Sequence, residues 1–133
     1  MKEFGLSKSE VIRSKKDFEL IFEAGKTVFS ANGILKATYI ILDEELSSNV
    51  KVAFGVYKKA GKAFWRNRVK RLLRESFRLN KHSILTKANS LKKTVLIVFQ
   101  LNRLNRKYNK NVVLQDIMPE VIDLLKKIES DIK

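Results

Sequence analysis

Residues 94–99 read TVLIVF, a run that is apolar on both faces of an extended chain. A strand with one wet face alternates. A strand without alternation belongs in the middle of a sheet, so this run predicts a central strand around which the other elements are arranged. Three further segments predict its neighbours. Residues 27–30 form a short strand candidate, residues 33–42 alternate and are rich in Ile, Thr and Tyr, and residues 50–57 place Val50, Val52, Phe54 and Val56 on one face.

The helices show a different period. Residues 14–25 open with Ser14 and Asp17 in a capping-box pattern, close on Gly25 as a natural C′ residue, and align Phe18, Ile21 and Phe22. A second helix covers residues 63–81, AFWRNRVKRLLRESFRLNK, and a last one runs from about residue 116 to 129, with Pro119 near its first turn. Residues 43–49 (DEELSSN) predict a polar loop, residues 81–93 a polar connection, and residues 101–111 (LNRLNRKYNKN) a basic loop. The order is therefore α-β-β-β-α-β-α. It predicts an α/β (α+β) two-layer sandwich with one central sheet, and a length of 133 residues places all of 1–133 in a single domain.

Composition narrows the chemistry. A hydrophobic share of 44% with one proline argues for a folded chain. The absence of cysteine removes disulfides and thiolate metal sites and fits a reducing cytoplasm. Residues 1–4 open no hydrophobic signal segment, and no run approaches the roughly 18 apolar residues of a membrane span, so no membrane role is expected.

The net charge of +14 is unevenly placed. Residues 58–81 hold ten basic side chains and one acid, residues 82–111 hold seven and none, and the flanking segments sum to zero or below. A block of one sign marks a footprint for a polyanion; a merely solvated face would intersperse acids. On the helix of residues 63–81, one arc collects Trp65, Val69, Leu72, Leu73, Ser76 and Leu79. The opposite arc collects Asn67, Lys70, Arg71, Arg74 and Arg78, with Arg66 and Arg68 on the flanks and Glu75 beside Arg68 and Arg71. The apolar arc is available to pack on the sheet while the other presents a row of cations. Arginine forks fit phosphate bidentately, and Asn67 can donate to or accept from a base edge or sugar hydroxyl.

An arginine-rich amphipathic helix alone does not specify a partner. The longer segment VYKKAGKAFWRNRVKRLLRESFR, residues 56–78, resembles the signature of the bacterial ribonuclease P protein component, most specifically in Arg66-Asn67-Arg68 followed by VKRLLRE and in the lead-in Lys58-Lys59-Ala60-Gly61. LSKSEVIRSKKDFELIFEAGK, residues 6–26, resembles that family's first helix, and the element order is the family's; the segment QLNRLNRKYNKNVV after the TVLIVF strand departs from it. The resemblance implies a ribosomal-S5-like fold and a basic subunit of the ribonucleoprotein that cuts the 5′ leader from precursor tRNA. It implies catalysis by a large RNA with Mg²⁺, no cofactor on the protein alone and no required protein partner. It further implies that Lys58, Lys59, Arg66, Asn67, Arg68, Lys70, Arg71, Arg74 and Arg78 face RNA. Phe18, Phe22 and Tyr39 would border a cleft that receives the single-stranded leader.

The residues themselves leave Phe18 and Phe22 open between core and cleft, since two aromatics at i and i+4 are usually core, and they leave Tyr39 and Ile41 open between the two sheet faces. Trp65 reads as core. No protein catalytic centre emerges. His82, the only histidine, stands in a basic stretch; Asp43, Glu44 and Glu45 are adjacent in a loop and read as solubilising charge; Gly61 stands alone, suited to a tight turn or a close phosphate. A protein-only nuclease lacks its acid cluster here. A DNA-binding module would call for a helix-turn-helix or heptads, and a membrane-surface module for an exposed apolar arc.

Overall fold

The computed structural model describes residues 8–133. The reading of residues 1–4, and the first two residues of the stretch likened to the family's first helix, lie outside the described residues. The helices are α1 (Lys15–Ala24), α2 (Ala63–Asn80), α3 (His82–Ser90) and α4 (Leu114–Asp131); the strands are β1 (Lys26–Phe29), β2 (Leu35–Leu42), β3 (Val50–Gly55) and β4 (Thr94–Leu101). They build one four-stranded sheet in the order β1-β2-β4-β3, antiparallel except for β3 beside β4.

The TVLIVF run is central, as its pattern predicts. β4 pairs with β2 on one side and β3 on the other, and residues 94–99 are all buried. Val95, Ile97 and Phe99 enter the main core with α2, α3 and α4, whereas Leu96 and Val98 join a smaller cluster with Ile12 and Ile21. Three helices thus cover one face of the sheet, and α1 covers part of the other. Phe54 stacks on Phe99 with centroids 5.7 Å apart, and Phe77 of α2 packs against the same ring at 6.0 Å, in the favourable range for aromatic pairs. Outside β3, Val11 bridges Val52 and the Ile12 N–H donates to the Val52 carbonyl at 2.9 Å, which covers part of an otherwise open edge.

Several expectations are corrected. Residues 81–93 are not merely a polar connection: α3 occupies 82–90 because Ile84 and Ala88, at i and i+4, bury themselves with Leu85 against the core. Polar residues on the remaining positions hid that two-turn stripe. Ser14 stands at the N-cap of α1, but its side chain makes no capping hydrogen bond. Gly25 closes that helix in extended backbone, and glycine is required there by space: a Cβ would lie 2.3 Å from the Ile21 carbonyl oxygen and 2.7 Å from that of Tyr39. β3 ends at Gly55, before Val56 and Tyr57. α4 begins at Leu114, so Pro119 is its sixth residue and removes one helical hydrogen bond, while the Asp116 carboxylate accepts the Val113 N–H at 3.0 Å.

Tyr39 does not face the cleft beside α1. Odd-numbered residues of β2 turn toward α4, and the Tyr39 ring joins the main core on that side. Its hydroxyl donates to Asp131 at 2.7 Å, and Lys26 pairs with the same carboxylate at 3.2 Å, so β1, β2 and the end of α4 are tied together. Burial, followed by the hydrogen bond to Asp131, pushes the Tyr39 phenol up to about 12. The Tyr39 hydroxyl, then Lys26, holds the Asp131 carboxyl below its usual range.

Tyr39→Phe should therefore destabilise the fold by about 1 kcal/mol near neutral pH. The raised phenol contributes stability that is intact below its ordinary value of about 10 and is lost as pH rises through 12. The lowered carboxyl contributes stability present above about pH 4 and lost as pH falls further. Urea unfolding of both proteins between pH 5 and 11 checks this; a difference that does not shrink above pH 10 would contradict it.

Candidate nucleic-acid interface

The charged surface is built on α2, and α2 is held by its other side. Trp65, Val69, Leu73, Ser76 and Phe77 are buried, packed chiefly on α4 and to a lesser degree on β3. The expected arc is thereby rotated: Phe77 is fully buried and Leu79 is half exposed, because α2 wedges against α4 instead of lying flat on the sheet. The start of the helix is fixed by the approach to it. Residues 58–60 form one 3-10 turn, and Gly61 admits the Trp65 indole and Arg106, both of which would lie 2.8 Å from a Cβ. The glycine thus answers to a side-chain contact, in extended backbone.

The loop expected at residues 101–111 is seated on this helix. The Trp65 indole N–H donates to the Asn109 carbonyl at 3.0 Å, the Arg68 Nε to the Val112 carbonyl at 2.8 Å, and the Arg106 N–H to the Ala60 carbonyl at 2.7 Å. Its basic composition was visible in the sequence, but these contacts span some 44 residues and have no periodic signal.

The nine basic and polar residues expected at the interface divide into three groups. Lys58, Lys59, Asn67, Lys70, Arg71 and Arg74 are exposed, and among the described residues none of them has an ion-pair partner. Arg66 and Arg68 each spend one donor on a backbone carbonyl, Arg66 at 3.1 Å to Gly61, which orients the guanidinium and leaves its other donors available. Arg78 is engaged: its Nε donates to Glu75 at 2.9 Å, and a second contact joins its NH2 group to the same carboxylate. Glu75 therefore turns to Arg78, not to Arg68 and Arg71. The Arg78 hydrogen bond holds the Glu75 carboxyl below its usual range.

On the other face, Phe18 is half buried in the small cluster with Ile40, Ala53 and Val98, while Phe22 is 52% exposed. Phe22 is not core. With Arg13, Lys15, Glu19 and Glu23 the two rings border an open depression of about 530 Å³. Asp43 pairs with Lys93 at 2.8 Å, and among the described residues no three His, Cys, Asp or Glu side chains converge as a metal site requires. His82 is exposed at the first position of α3. No helix among the described residues is long and apolar enough to cross a membrane.

A single-sheet α/β domain with a cationic helix laid across its main core is the class these features define. The family model for ribonuclease P matches residues 6–129, and the chain belongs to the ribonuclease P protein component family. The ribonuclease P protein component of Clostridium novyi is 30% identical over 122 residues, covering 92% of this chain and 96% of that protein. That of Syntrophus aciditrophicus is 41% identical over 81 residues, 61% of this chain and just under two thirds (64%) of that protein's own length. Among solved structures, the RNase P protein from Thermotoga maritima superposes with a TM-score of 0.68 at 26% identity, covering 89% of this chain and 96% of that one. The Staphylococcus aureus RNase P protein shares the fold, with a TM-score of 0.66 at 23% identity over 94% and 98% of the two chains.

Glu75 is the only acid between Glu45 and Asp116, and it is the one carboxylate carried on α2 itself; Lys81 and Lys93 pair with Glu10 and Asp43 from outside the block. Glu75→Gln releases Arg78 and removes one negative charge. It should tighten RNA binding about two- to fivefold and steepen the log–log salt dependence by up to about 0.9, with an unchanged circular-dichroism spectrum. Fluorescence anisotropy across a salt series measures both; equal affinity at low salt would show that Arg78 lies off the interface.

Proposed function

We propose that the chain is the RNA-binding protein subunit of the ribonuclease P ribonucleoprotein, which removes the 5′ leader of precursor tRNA in the cytoplasm. The single observation that carries this reading is the set of unpaired cations on α2, Lys70, Arg71 and Arg74 with Asn67 among them. Like charges one turn apart repel each other, an arrangement whose cost an arriving polyphosphate offsets. In this reading α2 and the preceding Lys58 and Lys59 hold the large RNA subunit. The depression at Phe18 and Phe22 receives the unpaired leader, one base lying against the exposed Phe22 ring.

Family membership implies Mg²⁺ in the working enzyme. In this reading the ion is held by the RNA subunit, and this chain contributes no ligand to it. The protein's own contribution is electrostatic and positional: it neutralises phosphates that would otherwise repel across the RNA–substrate contact, and it fixes the leader's path.

The test is cleavage of precursor tRNA at low Mg²⁺. The protein should be inactive alone and should promote cleavage when a bacterial ribonuclease P RNA is added. Phe22→Ala should weaken affinity for precursor tRNA by roughly five- to a hundredfold while leaving mature tRNA affinity and melting temperature nearly unchanged, because the ring is half exposed. Cleavage by the protein with no RNA subunit present would overturn the proposal. An unchanged precursor-to-mature affinity ratio would remove Phe22 from the leader path.

A further inference from the structure

Residues 102–113 form a built turn. The Asn105 N–H donates to the Asn109 Oδ1 at 3.2 Å, the Tyr108 N–H to the Asn105 Oδ1 at 3.2 Å, and the Asn109 N–H to the Asn105 carbonyl at 2.8 Å. Leu104 and Val112 anchor its two ends in the main core. Between this turn and the approach to α2 lies an open depression of about 680 Å³, whose walls include Tyr57, Lys59, Lys62, Arg106, Lys107 and Tyr108.

Its chemistry is one-sided. Tyr108 is 75% exposed and Tyr57 48%, and neither ring is needed to fill the core. The Lys107 ammonium sits 5.5 Å from the centre of the Tyr108 ring, and the Arg106 guanidinium 5.4 Å from that of the exposed Phe64. The Arg106 Nε is buried with no hydrogen-bond partner among the described residues. Among the described residues no carboxylate lines the depression. It also adjoins the N-terminus of α2, where the N-cap Lys62 brings no side-chain acceptor to the first-turn N–H groups.

We infer that this depression is a second nucleic-acid contact, which takes an unpaired nucleotide of RNA: a base stacks on Tyr108 or Tyr57, and its phosphates lie among Lys59, Lys62 and Lys107. Exposed aromatic faces interleaved with cations are the arrangement that binds single strands without reading their sequence. A duplex hides its base faces and would leave the tyrosines unused. An acidic protein surface would satisfy the lysines but gives no reason for exposed rings beside them. The contact extends the proposed RNA surface from α2 onto the turn that follows β4, and so rests on that reading for its biological partner.

The experiment uses the full chain and a fluorescein-labelled 12-nucleotide oligoadenylate, with a 12-base-pair RNA duplex for comparison. Tyr57→Ala with Tyr108→Ala should weaken single-strand binding roughly five- to a hundredfold and duplex binding much less. Phenylalanine at both positions should restore it, since stacking needs the ring and not the hydroxyl. Lys107→Gln should flatten the single-strand salt slope by about 0.7. Trp65, the only tryptophan, is bonded to Asn109, so its emission reports whether the turn stays seated in each variant. Wild-type single-strand affinity in the alanine variant, with unchanged Trp65 emission, would overturn the inference and leave an acidic protein surface as the occupant. Failure to promote precursor tRNA cleavage with ribonuclease P RNA would remove the proposed function while leaving this measurement intact.

Discussion

The structure depends on the burial of β4 from both sides. Thr94 to Phe99 are covered above and below and hydrogen-bonded left and right, so the burial of this strand depends on β2, β3 and helices on both faces together. Each large apolar side chain removed from water there stabilises the fold by about 1.5–3 kcal/mol. The parallel pairing of β3 with β4 carries a further consequence. Parallel neighbours cannot be joined by a hairpin, so residues 56–93 must cross over the sheet. The cationic helix is that crossover. Its location follows from the demands of an apolar strand, and its chemistry was free to be set by something else.

That freedom is used on the outer side of α2. The helix meets α4 and the sheet with Trp65, Val69, Leu73 and Phe77 and presents Lys70, Arg71 and Arg74 away from them. The two Arg residues that flank the packed arc serve both sides. The Nε groups of Arg66 and Arg68 bind backbone carbonyls of the neighbouring turn and loop, which restrains long side chains before any partner arrives. Less rotamer entropy then remains to be lost on binding. Glu75 is the single carboxylate within this block, and its pairing with Arg78 places the neutralisation toward the far end of the helix.

Much of this architecture was legible in the residues, for reasons that can be named. The TVLIVF run announced a central strand because no alternative buries both of its faces, and the 3.6-residue period of α2 separated its packed and cationic sides. Several of the misreadings share a cause: they turned on a neighbour distant in sequence. Leu79, placed on the packed arc, is half exposed, and Phe77, on neither arc, is fully buried, because α4, not the flat sheet, supplies the packing surface. Ser14 stands at its cap without bonding, and Gly25 is required by the carbonyl of Tyr39, fourteen residues on. α3 was hidden because its buried stripe is two turns long. Tyr39 could not be assigned from spacing, since the strand register decides which face it sees, and the register turned it toward α4; Phe22 could not be assigned because the packing of α1 on the sheet decides it, and it was left at the surface of α1. The seating of residues 102–113 on α2 and the turn before it rests on three hydrogen bonds that no local pattern encodes.

In the proposed function, the row of cations on α2 and its approach neutralises RNA phosphates. The most direct measurement is the affinity of the full chain for a bacterial ribonuclease P RNA as a function of monovalent salt. Six exposed cations without an ion-pair partner among the described residues stand in that region: Lys58, Lys59, Lys70, Arg71 and Arg74, with Lys62 beside them. If most of them meet phosphates, log K should fall against log salt with a slope of about −4 to −5. Alanine at Arg71 and Arg74 together should bring it closer to zero by about 1.5–2. A wild-type slope shallower than about −2, or one unmoved by the double substitution, would contradict the account.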